Sequence, residues 1–128
     1  MSKTCLLVSL LCVAPSVLNP QDPVKVDPSH YKVEFENAQV RVLRIRYGPH
    51  EKSVMHEHPA GVAVFLTDQT VKFGTPDGKS QEVSQKIGDA VWTPAGKHLP
   101  ENLSDKPLEL VLVELKSRRA AARPPKPK

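Results

Sequence analysis

The segment best suited to chemistry in this sequence is His56-Glu57-His58. On a β-strand, residues two apart point to the same face, so both imidazoles would project together with Val54 while Met55 and Glu57 face the other way. Two nitrogen donors placed like this suit one metal ion at about 2.0–2.1 Å. The competing reading is a pair of ordinary histidines on a surface strand or turn. His98 is the third candidate, and it follows a turn glycine, Gly88, a short strand from Ala90 to Thr93, and Pro94-Ala95-Gly96. A Pro-x-Gly turn would aim the residues after it back across a barrel mouth, where a third ligand could meet the first two. A satisfied surface histidine is the plain alternative for His98.

Short strands must position these residues. Tyr31, Val33 and Phe35 alternate with Lys32, Glu34 and Glu36, which reads as a half-buried strand ended by Asn37. Val40 to Tyr47 is rich in β-formers, with arginines on its outer positions. Val54 to His58 and Val62 to Leu66 form the next pair, broken by Pro59-Ala60-Gly61. Thr75-Pro76-Asp77-Gly78 is a strong turn between Val71-Lys72-Phe73 and Gln81-Glu82-Val83. Ala90 to Thr93 and Leu108 to Leu115 complete the set, and the last alternates well enough to close a sheet. No repeat and no helical period is found from His30 to Leu115, so the fold class is all-β, a sandwich or closed barrel.

At 128 residues with 39% hydrophobic content, the chain supports one domain and one modest core. Its 13 prolines and 5% aromatic content suit strands and turns better than long helices. The net charge of +4 does not mark a nucleic-acid binder, because it is concentrated at one end. Residues 116–128 carry six of the 18 basic groups and none of the 14 acidic ones, and no aromatic residue interleaves with them. That Pro/Ala-rich basic tail reads as disordered. At the other end, Lys3 and the apolar run from Cys5 to Ala14 read as an export signal over residues 1–16, too short to span a bilayer. The mature protein is therefore expected outside the cytoplasm, periplasmic or secreted, without stable membrane insertion. Removal of the signal takes both cysteines, Cys5 and Cys12, so neither disulfides nor thiolate ligands contribute. Residues 17–29, with Pro20, Pro23 and Pro28, read as an extended linker, and the folded domain as 30–115.

From Tyr31 to Leu115 the chain resembles the cupin superfamily. Gly48, His56 and His58 match the framework of its first motif. Gly88, Pro94, Gly96, His98 and Asn102 match its second, with one residue rather than two between Gly96 and His98. The resemblance implies a single β-barrel or jelly roll of six or more antiparallel strands, with His56, His58 and His98 facing one divalent ion of iron, manganese or zinc. It also implies a homodimer paired through sheet edges.

The family's usual glutamate ligand would fall three or four residues after His58, where this chain has Val62 and Ala63. A three-histidine site remains, and some three-histidine cupins are iron-dependent dioxygenases. Neutral imidazoles leave positions open for water or substrate. The expected function is thus a metalloenzyme acting on a small oxygen-bearing molecule, of dioxygenase, hydrolase (lactonase) or isomerase/lyase type. The alternative is a non-catalytic module that binds a small ligand in the same barrel. His50, in the loop before the histidine strand, and Glu101, in a loop after His98, are the candidate acid/base groups, each against the reading of a solvated side chain. Trp92, Phe65 and Tyr47 are expected in the core or lining the barrel.

Overall fold

The computed structural model describes residues 21–117. One helical turn, α1 (Pro23–Val26), precedes nine strands: β1 (Tyr31–Glu36), β2 (Val40–Tyr47), β3 (His56–His58), β4 (Gly61–Phe65), β5 (Gln69–Gly74), β6 (Ser80–Gln85), β7 (Ala90–Thr93), β8 (Gly96–Asn102) and β9 (Leu108–Leu115). The strands form two antiparallel sheets, ordered β1-β2-β9-β4-β7 and β3-β8-β5-β6. The all-β expectation holds. The signal at 1–16, the first four residues of the linker and the tail from Arg118 lie outside the described residues. No helix among the described residues is long and apolar enough to cross a membrane.

Alternation places the core. β2 and β9 pair over their full length, from Val40 opposite Leu115 to Tyr47 opposite Leu108. Their inward positions, Leu43, Ile45, Tyr47, Leu108 and Leu112, join Tyr31, Ala63, Phe65 and Val71 in one buried cluster. Complete burial of an aliphatic side chain such as Leu43 contributes about 1.5–3 kcal/mol relative to exposure. The expected turn closes the β5–β6 hairpin: Thr75 N donates to Lys79 O at 2.9 Å, and Gly78 adopts φ 82°, which favours glycine. Gly61 has a different cause. A Cβ there would lie 2.3 Å from the carbonyl oxygen of Val113, so only glycine lets β4 approach β9 this closely.

Five expectations are corrected. Residues 21–29 are not an extended linker: Asp22 caps α1 by accepting from Val24 N at 3.0 Å, proline suits the first helical position, and Pro23 and Asp27 are buried. The folded unit therefore begins before His30. Phe35 is 53% exposed, because a register shift between Val33 and Phe35 breaks the alternation of β1. The strand expected from Val54 begins at His56, since Val54 O is taken by the His56 ring and Val54 faces solvent. Glu101, expected in a loop after His98, lies with it on strand β8. Pro100 is tolerated there because the short β3 has already ended, and its carbonyl accepts from Ser53 N at 2.9 Å. Arg41, unlike Arg44 and Arg46, shares the inward phase of Leu43 and Ile45, and it is not on the outer face.

Candidate metal centre

β3 and β8 are neighbours, and His56 lies directly opposite His98 in their ladder. His58, two residues along β3, projects from the same face, as strand geometry requires. One donor atom from each of the three side chains lies within 4.8 Å of the others. Nε2 of His56 and Nε2 of His98 are 3.1 Å apart. Two nitrogens that ligate one tetrahedral ion at about 2.0–2.1 Å are separated by roughly 3.3 Å, so this pair already has the required spacing.

The outer nitrogens of the two β3 histidines are held by the protein. Nδ1 of His56 donates to Val54 O at 2.8 Å, and Nδ1 of His58 donates to Glu114 Oε1 at 2.6 Å. Each bond fixes the tautomer that turns the Nε2 lone pair inward, which is how metal-binding histidines are oriented. Burial, reinforced by the neighbouring His58, pushes His56 down to about 4 and His98 down to about 3. Both imidazoles are thus neutral near pH 7, the form a metal ligand must take.

Glu114 comes from the inward face of β9 and is buried. Its other oxygen accepts from Arg41 Nε at 2.6 Å, and the guanidinium reaches on to both carboxylate oxygens of Asp22 at 2.7 and 3.2 Å. Burial alone would raise the carboxyl's pKa. The hydrogen bonds from His58 and Arg41 outweigh it and hold Glu114 below its ordinary value, as an anion. The chain His58–Glu114–Arg41–Asp22 therefore runs from the cluster to the segment preceding β1.

On the other side of the cluster, the Tyr31 hydroxyl lies 3.1 Å from His56 Nε2 and 2.5 Å from the Tyr47 hydroxyl. Burial raises both phenols, Tyr31 well above its usual value, so both keep their protons. Below them, Ser53 donates to Asp27 at 2.5 Å, and both ring nitrogens of His30 bond carboxylates, Nδ1 to Asp27 and Nε2 to Glu51, each at 2.7 Å. Those two bonds outweigh partial burial and raise His30 above its ordinary pKa.

The histidines open onto a cavity of about 530 Å³, whose lining includes Phe65, Val71, Phe73, Val91, Leu110 and Leu112. The two acid/base candidates are not part of it. Glu101 sits three residues beyond His98 on the same strand, hence on the opposite face, where Lys72 Nζ holds it at 2.9 Å. His50 is 61% exposed and paired with Asp105 at 2.5 Å. Trp92 is 60% exposed and reaches only the cavity rim. Tyr31, Glu114 and Arg41 were not singled out in the sequence. The available signal was a charge at the inward phase of a strand: Glu114 after Leu108, Leu110 and Leu112, and Arg41 before Leu43, Ile45 and Tyr47.

No protein-family model matches the chain, and no curated protein does. Solved structures do. The fold is similar to a cupin domain from Bordetella pertussis Tohama I, with TM-score 0.64 and 28% identity over 68% of this chain and 92% of that one. The chain belongs to the cupin superfamily. This cupin is also similar to an RmlC-like cupin family protein with a double-stranded β-helix fold from Methanocaldococcus jannaschii, at TM-score 0.55 and 18% identity over 76% and 90% of the two chains. A polyketide cyclase from Streptomyces resistomycificus shares the fold at TM-score 0.50 and 15% identity, over 66% of this cupin and 63% of that chain. The cupin's three-histidine cluster is compatible with a divalent metal ion.

Proposed function

We propose that this cupin is a metalloenzyme in which His56, His58 and His98 hold one divalent ion of iron, manganese or zinc, and that it acts on a small oxygen-bearing molecule. The observation that carries the reading is the convergence of three imidazoles, His56 and His58 buried and His98 half-buried, with the outer nitrogens of the β3 pair tied to Val54 O and Glu114. A structural site would close the coordination sphere with protein atoms, whereas this cluster supplies three and faces a cavity. When bound, such an ion supplies Lewis acidity toward a substrate oxygen, or activation of water or dioxygen.

The chain's own groups do the rest. The apolar lining excludes water and binds the carbon frame of the substrate. Tyr31, which keeps its proton and touches His56, is the hydrogen-bond donor nearest the reacting atoms, a role that neither Glu101 nor His50 reaches. Dioxygenase, hydrolase and isomerase or lyase reactions all use such a site. The same reading takes the mature protein to be exported, on the strength of Lys3 and the apolar run to Ala14, and to pair with a second copy through sheet edges, as the resemblance implies. Its partner in function is a small molecule and not a nucleic acid.

Elemental analysis of untagged protein tests the reading. It should show close to one transition-metal ion per chain, lost in His56→Ala/His58→Ala. A protein that carries no metal after exposure to Fe(II), Mn(II) and Zn(II), or a double variant that retains it, would overturn the assignment and favour a metal-independent binding module in the same cavity.

A further inference from the structure

We propose that the cavity has a second recognition point, Gln69, and that its ligand is therefore an elongated, largely apolar molecule with a hydroxyl group at the end away from its metal-binding oxygen. The proposal rests on the three-histidine reading for the metal end and on independent observations for the other. Gln69 opens β5 at an inward position and is 93% buried, and its side chain lines the same cavity as His58 and His98. Its Oε1 has no hydrogen-bond partner in the protein. A buried carboxamide left unpaired is costly, and buried polar groups are paired almost without exception. A core position between Phe65 and Val71 would be filled at lower cost by leucine or methionine, so a glutamine there fits a ligand-contacting role.

One neighbour points the same way. Gln85 lies directly across the β5–β6 ladder from Gln69 and lines the cavity beside it, so two carboxamides stand together at this end. The metal end is elsewhere. Phe73, whose ring packs against His98 at a centroid distance of 5.1 Å, is four residues further along β5 than Gln69. That separation is about 13 Å at the rise of a strand. A carboxamide both donates and accepts, and a hydroxyl does the same, so it is the group that satisfies Gln69 most completely.

The test uses the full-length protein, freed of metal by a chelator so that the phenol oxygen meets no ion, and two probes, naphthalene and 2-naphthol. The ratio of their dissociation constants isolates the hydroxyl. The expected result is that Gln69→Leu shifts this ratio about tenfold or more against 2-naphthol, while naphthalene binding stays within about threefold. Gln69→Leu should also unfold at a higher temperature than the native protein, because it removes an unsatisfied polar group. If that variant fails to fold, Gln69→Met, close to glutamine in volume, carries the same comparison. An unchanged ratio, or no binding of either probe to the native protein, overturns the proposal. Zinc titration of the same samples separates the two readings: absence of zinc binding defeats the three-histidine centre and leaves the hydroxyl ratio as the measure of Gln69.

Discussion

His58 and Glu114, 56 residues apart in the chain, meet through a 2.6 Å hydrogen bond from Nδ1 to a carboxylate that is itself buried and held by Arg41. The glutamate that is absent after His58 is not replaced as a ligand. A different carboxylate stands behind the ligand and sets its orientation.

Glu114→Gln should keep the shape of this contact while removing its charge. Loss of such a partner behind a metal-binding histidine costs about 10–100-fold in metal affinity. Competition titration with a zinc chelator measures it, and Glu101→Gln, on the opposite face of β8, should leave the affinity unchanged. An unaltered affinity in Glu114→Gln would show that the bond is only structural.

The metal-free protein should lose stability as pH falls from about 6.5 toward 4. His56 and His98 ionise at about 4 and about 3 when folded, against an ordinary 6.5 once unfolded. Over that window the unfolded chain binds more protons, so each group removes up to about 1.4 kcal/mol per pH unit. His30 acts in the opposite sense: its pKa is raised, so its contribution is complete below about 6.5 and is lost as pH rises through the folded value. Chemical denaturation at stepped pH should therefore show a shallower acid limb in His98→Ala than in the native protein.

Tyr31→Phe should leave zinc stoichiometry intact and destabilise the fold by about 1–2 kcal/mol, since it strips Tyr47 of its 2.5 Å partner without opening a cavity. Urea denaturation reads this directly. Loss of the metal in this variant would instead make the phenol a ligand.

Gly61→Ala should be among the most damaging single-methyl changes in the protein. The added Cβ meets the Val113 carbonyl at 2.3 Å, a backbone atom that cannot turn aside, and it pushes β4 from β9 next to Glu114. A loss of about 3 kcal/mol or more, seen as a lowered denaturation midpoint, is expected. Gly78→Ala, where a Cβ meets open space, should cost only the strain of its positive φ, about 1 kcal/mol.

Local pattern alone placed much of this protein. Alternation located β2, β7 and β9, the Thr75–Gly78 turn located the β5–β6 hairpin, and the period of two put His56 and His58 on one face. Those features are readable because strand periodicity and turn chemistry act between residues adjacent in sequence. β8 was hidden because Pro100 and the charges around it mimic a loop, and only the early end of β3 makes a proline acceptable there.

The sequence by itself determined the three imidazoles, the sheet that presents two of them and the absence of a carboxylate four residues on. Tertiary structure decided that His98 faces His56, that Glu114 and Arg41 stand behind His58, that Tyr31 touches the cluster, and that Glu101 and His50 do not. Each of these depends on which strands become neighbours and in what register. A shift of one residue would send Glu114 to the outer face of β9, and no local stretch of sequence records that choice.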